Sequence, residues 1–236
     1  MTYNLSIRSN LPEKMDDLSA PEGELRQNLR ELEVINKYLG GYSVVLGALR
    51  QLKWPTKKMT IMDLGCGGGD MLRAIAEWSR RREMQTRLVG VDLNPVMIAY
   101  AKEASVKFPG IEYMQANVFD DALLMERADI VICSLFCHHF KDEELITLLQ
   151  QMAALAGTTV IINDLHRHWF AYYSISILTA LFSKTYMVKH DARLSVARAF
   201  TRHEWIGILK SAGIKNYSLK WRWAFRWELI IHTSDK

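Results

Sequence analysis

DLGCGGGD, Asp63 to Asp70, decides the reading of this chain. The apolar run Met59 to Met62 precedes it and the helix-like MLRAIAEW follows, so its glycines fall where a strand turns into a helix. Glycine carries no Cβ, so its backbone takes positive φ and lets a ligand approach the main chain, while the following helix offers unpaired N–H groups. A second apolar run, RLVGVDLN, ends on Asp92, 23 residues after Gly69. An acidic residue about 20 residues beyond such a turn reaches a ribose hydroxyl in dinucleotide folds. The pair reads as a site for a nucleotide-like ligand.

The turn departs from the dinucleotide pattern at its third glycine. G-x-G-x-x-G calls for glycine at position 70, where this chain has Asp70, and Gly65, Gly67 and Gly69 give G-x-G-x-G instead. Acidic residues on both sides of the glycines repel a pyrophosphate, and Asp70 already neutralises part of the helix N-terminus. A ligand with a positive centre fits better. Here the chain resembles the class I S-adenosylmethionine-dependent methyltransferases, whose first motif is an acidic residue followed by such a turn.

The resemblance extends from about Leu25 to His232. Asn94-Pro95 opens a helical stretch, VMIAYAKEASVKF, with Val96, Ala99, Tyr100 and Ala104 near helical spacing. IEYMQANVFD reads as a third strand and loop, in which Asn117, or alternatively Asp120 or Asp121, stands where the family contacts the adenine. ADIVICSLFCHHF supplies a strand over Asp129 to Ser134 with the fourth motif at its end. The implied cofactor, S-adenosyl-L-methionine, is expected against Asp63, Gly65, Cys66, Gly67, Asp92, Leu93, Met97, Asn117, Val118 and Ser134.

Alternating apolar strands and amphipathic helices argue for an α/β protein with a parallel sheet covered on both faces. With the resemblance, the expected architecture is a Rossmann-like, seven-stranded, mostly parallel sheet closed by an antiparallel hairpin. The whole of 1–236 is read as one domain: tail and lid helices in 1–57, cofactor core in 58–165, a helical cap in 166–202, and a last helix and hairpin in 203–236. In the lid, Arg26, Arg30, Tyr38 and Tyr42 are candidate ligand contacts, and the first twenty residues read as a tail or loose lid. A net charge of +4 with 24% charged residues demands neither nucleic acid nor disorder. Cys66, Cys133 and Cys137 show no CxxC pairing and read as reduced thiols of a cytoplasmic protein, and no signal peptide is evident.

The acceptor is sought between His138 and Arg202. Trp169 to Ser183 is mostly apolar but short for a membrane span, so a cap helix is expected there, compatible with peripheral membrane contact. Placed over the C-terminal strand ends, its Trp169, Phe170, Tyr172, Tyr173 and Phe182 would roof the site and favour a lipophilic acceptor. His138 and His139 follow the fourth strand and His166 and His168 the fifth, beside Asp164 and Arg167. Base, metal ligand and inert loop residue are the competing roles. A near-neutral imidazole suits deprotonation of a phenol or acidic carbon, which selects His139 or His166 as catalytic, with His138, Asp164, Arg167, Trp169 and Tyr173 binding substrate. Asp164, His166 and His168 form a D-x-H-x-H pattern with only one oxygen ligand, so no metal is expected.

The [DN]-P-P-[YF] sequence of amino-group methyltransferases is absent, with Cys133-Ser134-Leu135-Phe136 in its place. The pattern is more similar to stand-alone small-molecule enzymes related to the ubiquinone and menaquinone methyltransferases. The expectation is an S-adenosylmethionine-dependent methyltransferase of a lipophilic, aromatic or polyketide-like small molecule, at oxygen rather than carbon, without a nucleic-acid partner. A catalytically inactive cofactor-binding partner of a biosynthetic enzyme, or an RNA methyltransferase, are the alternatives.

Overall fold

The computed structural model describes residues 3–52, 54 and 58–233; the first two and last three residues and the sequence-set boundary after residue 57 lie outside them. One sheet holds β1 (Lys58–Leu64), β2 (Gln85–Asp92), β3 (Ile111–Gln115), β4 (Ala128–Ser134), β5 (Ala156–Leu165), β6 (Tyr217–Arg222) and β7 (Arg226–His232). Its order is β3-β2-β1-β4-β5-β7-β6. The first five strands pair in parallel, and β7 enters antiparallel between β5 and β6. The expected mostly parallel sheet with a closing hairpin is the one formed.

Strand alternation sorts the core into two layers, because successive side chains point to opposite faces. Ile61, Leu88, Ile130, Ile132, Ile161 and Ile230 pack one face against α2 (Gly41–Gln51) and α3 (Asp70–Arg80). Val89, Val131, Val160, Ile162 and Leu229 pack the other against α5 (Asp142–Leu155) and α8 (Arg202–Ser211). Local signals set the helix starts: Asn94 caps α4 (Pro95–Ala104) by accepting from the Val96 N–H, and Thr201 and Glu204 form a capping box on α8. All of this directs the C-terminal ends of β1, β4 and β5 towards one edge, where open α/β sheets bind ligands.

Two further helices roof that edge. The first, α6 (Trp169–Phe182), and the second, α7 (Tyr186–Arg198), follow β5 and return to the sheet through a bridge between His166 and Phe200. From the other side comes α1 (Glu22–Tyr38), whose Leu25 and Leu29 pack with Met97, Tyr100 and Met187.

The N-terminal segment is not a loose tail. The N–H groups of Lys14 and Met15 donate to the two carboxylate oxygens of Asp191, each at 3.0 Å, and Arg198 reaches the carbonyl of Leu11 at 2.5 Å. Asp191 and Arg198 are buried charges of the cap, and the strap's backbone gives them the partners that burial requires. Polar composition alone carried no sign of this, because the partners of the strap's main chain and of its Arg8, Glu13 and Asp16 lie far off in the sequence.

Candidate active site

Gly65, Gly67 and Gly69 take φ of 71°, 50° and 71°, so the turn expected from the sequence is built. A Cβ on Gly65 would stand 2.3 Å from the Phe136 ring, and at φ +71° any side chain is strained as well. The turn lines a cavity of about 270 Å³, together with Asn36, Ser134, His138 and Arg226. Leu135 follows Ser134 at φ 55°, a strained left-handed conformation of the kind that collects at ligand sites.

Three carboxylates, Asp63 and Asp92 buried and Asp70 partly so, converge on the turn. Asp63 closes β1 with Oδ1 buried and without a hydrogen-bond partner. Burial, with the charges of Asp70 and Asp92, pushes its carboxyl well above the usual range. Asp70 is also raised by burial, against the bond from Asn36 at 3.2 Å and the nearby charge of Arg73. Asp92, raised by burial, accepts from the N–H groups of Gly67 and Asn94, each at 2.9 Å. These acids have too few cations of their own, and a cationic ligand completes them.

One guanidinium balances the far side. Arg226 is fully buried and lines the cavity; its Nε donates to the Leu39 carbonyl at 2.9 Å, and its Nη1 has no partner. Burial lowers its pKa to about 10, against the pull of Asp164 and Asp70. A ligand carrying both a cationic centre and a carboxylate therefore finds a counterpart for each.

The four histidines do not converge. His138 is buried, its Nδ1 2.7 Å from Asp164 Oδ1 and its Nε2 3.4 Å from Glu13 Oε1. Burial works against its charge, but Asp164 and Glu13 outweigh burial and raise the imidazole to about 9. His139 turns Nδ1 to Asp16 at 2.7 Å and lines the cavity. His166 lies elsewhere, its ring against Trp227 at 4.8 Å and its backbone N–H donating to the Phe225 carbonyl at 2.8 Å. Burial, with the charges of His168 and Arg167, lowers it to about 4, and it does not line the cavity. Of the two histidines expected as base, only His139 lines the cavity, and D-x-H-x-H does not assemble because Asp164 is committed to His138.

The remaining acceptor candidates divide in the same way. Arg167 is spent on structure, donating to the carbonyls of Leu5 and Ala199 and pairing with Glu204 at 2.6 Å. Trp169 and Tyr173 are 60% and 53% exposed and turn outward. The face of α6 on the cavity carries Phe170, Ala171, Ser174, Ile175 and Leu178. A mostly apolar helix has too little periodicity to tell which side faces in, and Trp169 and Tyr173, expected to bind substrate, do not line the cavity. Among the lid candidates Tyr42 reaches the site, bonded to Asp70, whereas Arg26 pairs with Glu22 and Glu103 and Tyr38 is exposed. In the cofactor set, Gly65, Cys66, Gly67 and Ser134 line this cavity, whereas Asp63, Asp92, Leu93, Met97, Asn117 and Val118 do not, Asp92 acting on the turn through the Gly67 N–H. The Asn117 Oδ1 accepts from the Phe119 N–H in a turn closed by Asp120, and the Asp121 side chain is outside the described residues. Glu13, Asp16, Asn36 and Arg226 line this region without a motif; Arg226 alone left a trace, as a cation opening the strand RWELIIH.

Residues 61–158 match the family model described as a methyltransferase domain. The chain is 40% identical over 58 residues to the 2-phytyl-1,4-naphtoquinone methyltransferase of Thermosynechococcus vestitus, covering 25% of this chain and 24% of that protein. It is 29% identical over 152 residues to the ubiquinone biosynthesis O-methyltransferase of Azorhizobium caulinodans, covering 60% of this chain and 56% of that one. It thus spans a quarter to about half of the length of these curated relatives. In fold it is similar to the magnesium protoporphyrin IX methyltransferase of Synechocystis, solved with bound SAM, at a TM-score of 0.52 and 17% identity over 84% of this chain and 78% of that one. Among the described residues no helix is long and apolar enough to cross a membrane.

Proposed function

We propose, from the premise that this chain carries a methyltransferase domain, that it moves the methyl group of S-adenosyl-L-methionine to an oxygen of a lipophilic, aromatic or polyketide-like small molecule. The observation that carries the reading is the unpartnered Asp63 oxygen, beside Asp70 and Asp92, at a glycine turn opening on a cavity with an apolar far wall. The cofactor brings an electrophilic methyl on a cationic sulfur. Asp63 and Asp70 suit its positive groups, Arg226 its carboxylate, and Asp92 keeps lone pairs for ribose hydroxyls.

On this reading the acceptor lies between the turn and Phe170, Ile175 and Leu178 of α6. Its oxygen attacks the methyl carbon in line, the carbon–sulfur bond breaks, and sulfur keeps the electron pair. Holding the two partners in line accounts for about 7–11 kcal/mol of such a barrier. His139 receives the acceptor's proton, with Asp16 orienting its ring. His138 is ill suited to that task, because its two carboxylates keep it protonated near neutrality. The lipophilic acceptor is supported by the apolar cavity wall and by Ile177, Leu181 and Phe182, exposed on the outer side of the same helix.

Isothermal titration with S-adenosyl-L-methionine tests the cofactor, and turnover on a panel of apolar phenols and enols tests the acceptor. Absence of cofactor binding to folded protein refutes the reading. Tight binding with no turnover across the panel favours the inactive partner instead.

A further inference from the structure

We propose that Glu13, His138 and His139 form a binding site for a single divalent first-row metal ion of the zinc kind, at the wall between the acceptor cavity and a smaller outer cleft. One ligand atom from each of the three lies within 4.8 Å of the other two. Two imidazoles and a carboxylate form a donor set that zinc takes in catalytic sites, leaving one position open. The oxygen-poor set disfavours magnesium or calcium.

One separation is that of two ligands around an ion. His138 Nε2 and Glu13 Oε1 stand 3.4 Å apart. A charge-assisted hydrogen bond between such groups closes to about 2.7–2.9 Å. Two ligands at about 2.0–2.1 Å from a tetrahedral ion stand roughly 3.4 Å apart. At 3.4 Å the pair is longer than such a hydrogen bond and matches the ligand spacing of a tetrahedral ion.

The surroundings hold each ligand in orientation. Asp164 takes the other nitrogen of His138 at 2.7 Å, the carboxylate–histidine arrangement that fixes the tautomer of a metal-bound imidazole. Ser195 donates to Glu13 Oε1 at 2.8 Å, and Asp16 holds Nδ1 of His139 at 2.7 Å. Glu13 and His138 are buried and have side-chain exposures of 2% and 3%, so their pairing is not an incidental surface contact. A route in exists as well: a cleft lined by Ser9, Pro12, Asp16, Lys141 and Arg198 reaches His138 and His139 from outside. On the inner side all three ligands line the main cavity, so an ion they held would face the space for the acceptor.

The consequence for turnover rests on the methyl-transfer reading, whereas metal binding does not. An ion held there would make an acceptor hydroxyl more acidic; its proton would pass to solvent, and the oxygen's electron pair would attack the methyl carbon while the carbon–sulfur bond breaks and sulfur keeps its pair. In the metal-bound form His139 would serve as ligand in place of the base role it has without the ion, and the substrate class narrows to molecules presenting a hydroxyl or enol oxygen.

The test is equilibrium dialysis of the full chain against zinc alone, with no cofactor, followed by cobalt(II) substitution read by visible absorption. The expected result is one zinc per chain and tetrahedral cobalt bands. His139→Ala should abolish the bands, and the near-isosteric Asp164→Asn should weaken binding roughly 10–100-fold. Circular dichroism on each variant separates lost binding from lost fold, and the wild-type measurement decides even where a variant does not fold. No zinc on folded wild type, or undiminished zinc on folded His139→Ala, overturns the proposal. S-adenosyl-L-methionine titration of the same metal-free samples reports independently on the methyltransferase reading.

Discussion

Asp63→Asn should make the ligand-free protein more stable and at the same time spoil its cofactor site. The wild-type carboxyl is buried, lacks a partner on Oδ1 and faces the charges of Asp70 and Asp92. Its pKa in the folded state is therefore raised. A raised carboxyl contributes stability that is complete below the unfolded value near 3.9 and is lost as pH rises through the folded value. Proton uptake at pH 7 costs at most about 1.4 kcal/mol per pH unit over roughly 3 units, which caps the penalty near 4 kcal/mol. Asparagine keeps the shape and removes the charge, so a gain of about 1–3 kcal/mol is expected. For a chain of this size that is roughly 2–12 °C in Tm. Differential scanning calorimetry from pH 4 to pH 8 should show the variant's advantage growing with pH and fading towards pH 4. Isothermal titration should show cofactor affinity reduced by roughly 10- to 150-fold, the equivalent of about 1.5–3 kcal/mol for a hydrogen bond to a charged group. A variant no more stable than wild type at pH 8, or one that binds the cofactor unchanged, refutes the argument that the acids wait for a cation.

Other perturbations probe the remaining assignments. Arg226→Lys keeps the charge but loses the planar fork, and calorimetry should find cofactor binding at least about tenfold weaker while binding of a decarboxylated analogue changes little. His139→Gln should lower kcat by about 10²–10⁴, whereas His166→Gln should leave kcat and its pH profile as they are, since that ring packs on Trp227 away from the cavity. Phe170→Ala and Leu178→Ala should raise KM for an apolar acceptor while cofactor affinity holds, and Tyr173→Ala, on the outer face, should do neither. Trp205→Ala, at a fully buried ring packed on Phe200, should cost about 3–5 kcal/mol in urea unfolding.

Local chemistry determined what the sequence could determine. The turn at Gly65 to Gly69, the acid at Asp92, the Asn94-Pro95 helix start and the alternation of the strands all act over a few residues, and each became the element its spacing dictated. That is enough to assign a mostly parallel sheet, its binding edge and a turn suited to a positive ligand. Tertiary structure decided the acceptor side. Glu13 meets His138 across 125 positions of chain only because Asp191 and Arg198 pin the strap, and Arg226 reaches the cavity only because β7 inserts between β5 and β6. The four histidines are close in sequence terms yet part company, since neighbouring strand ends send them to different packing environments. Periodicity also fails on α6, a mostly apolar helix, and only its seating over the sheet puts Phe170 rather than Trp169 or Tyr173 on the cavity. Short-range geometry is written in residue order. The partners that set charge, orientation and access come from distant segments, and only the folded chain brings them to one place.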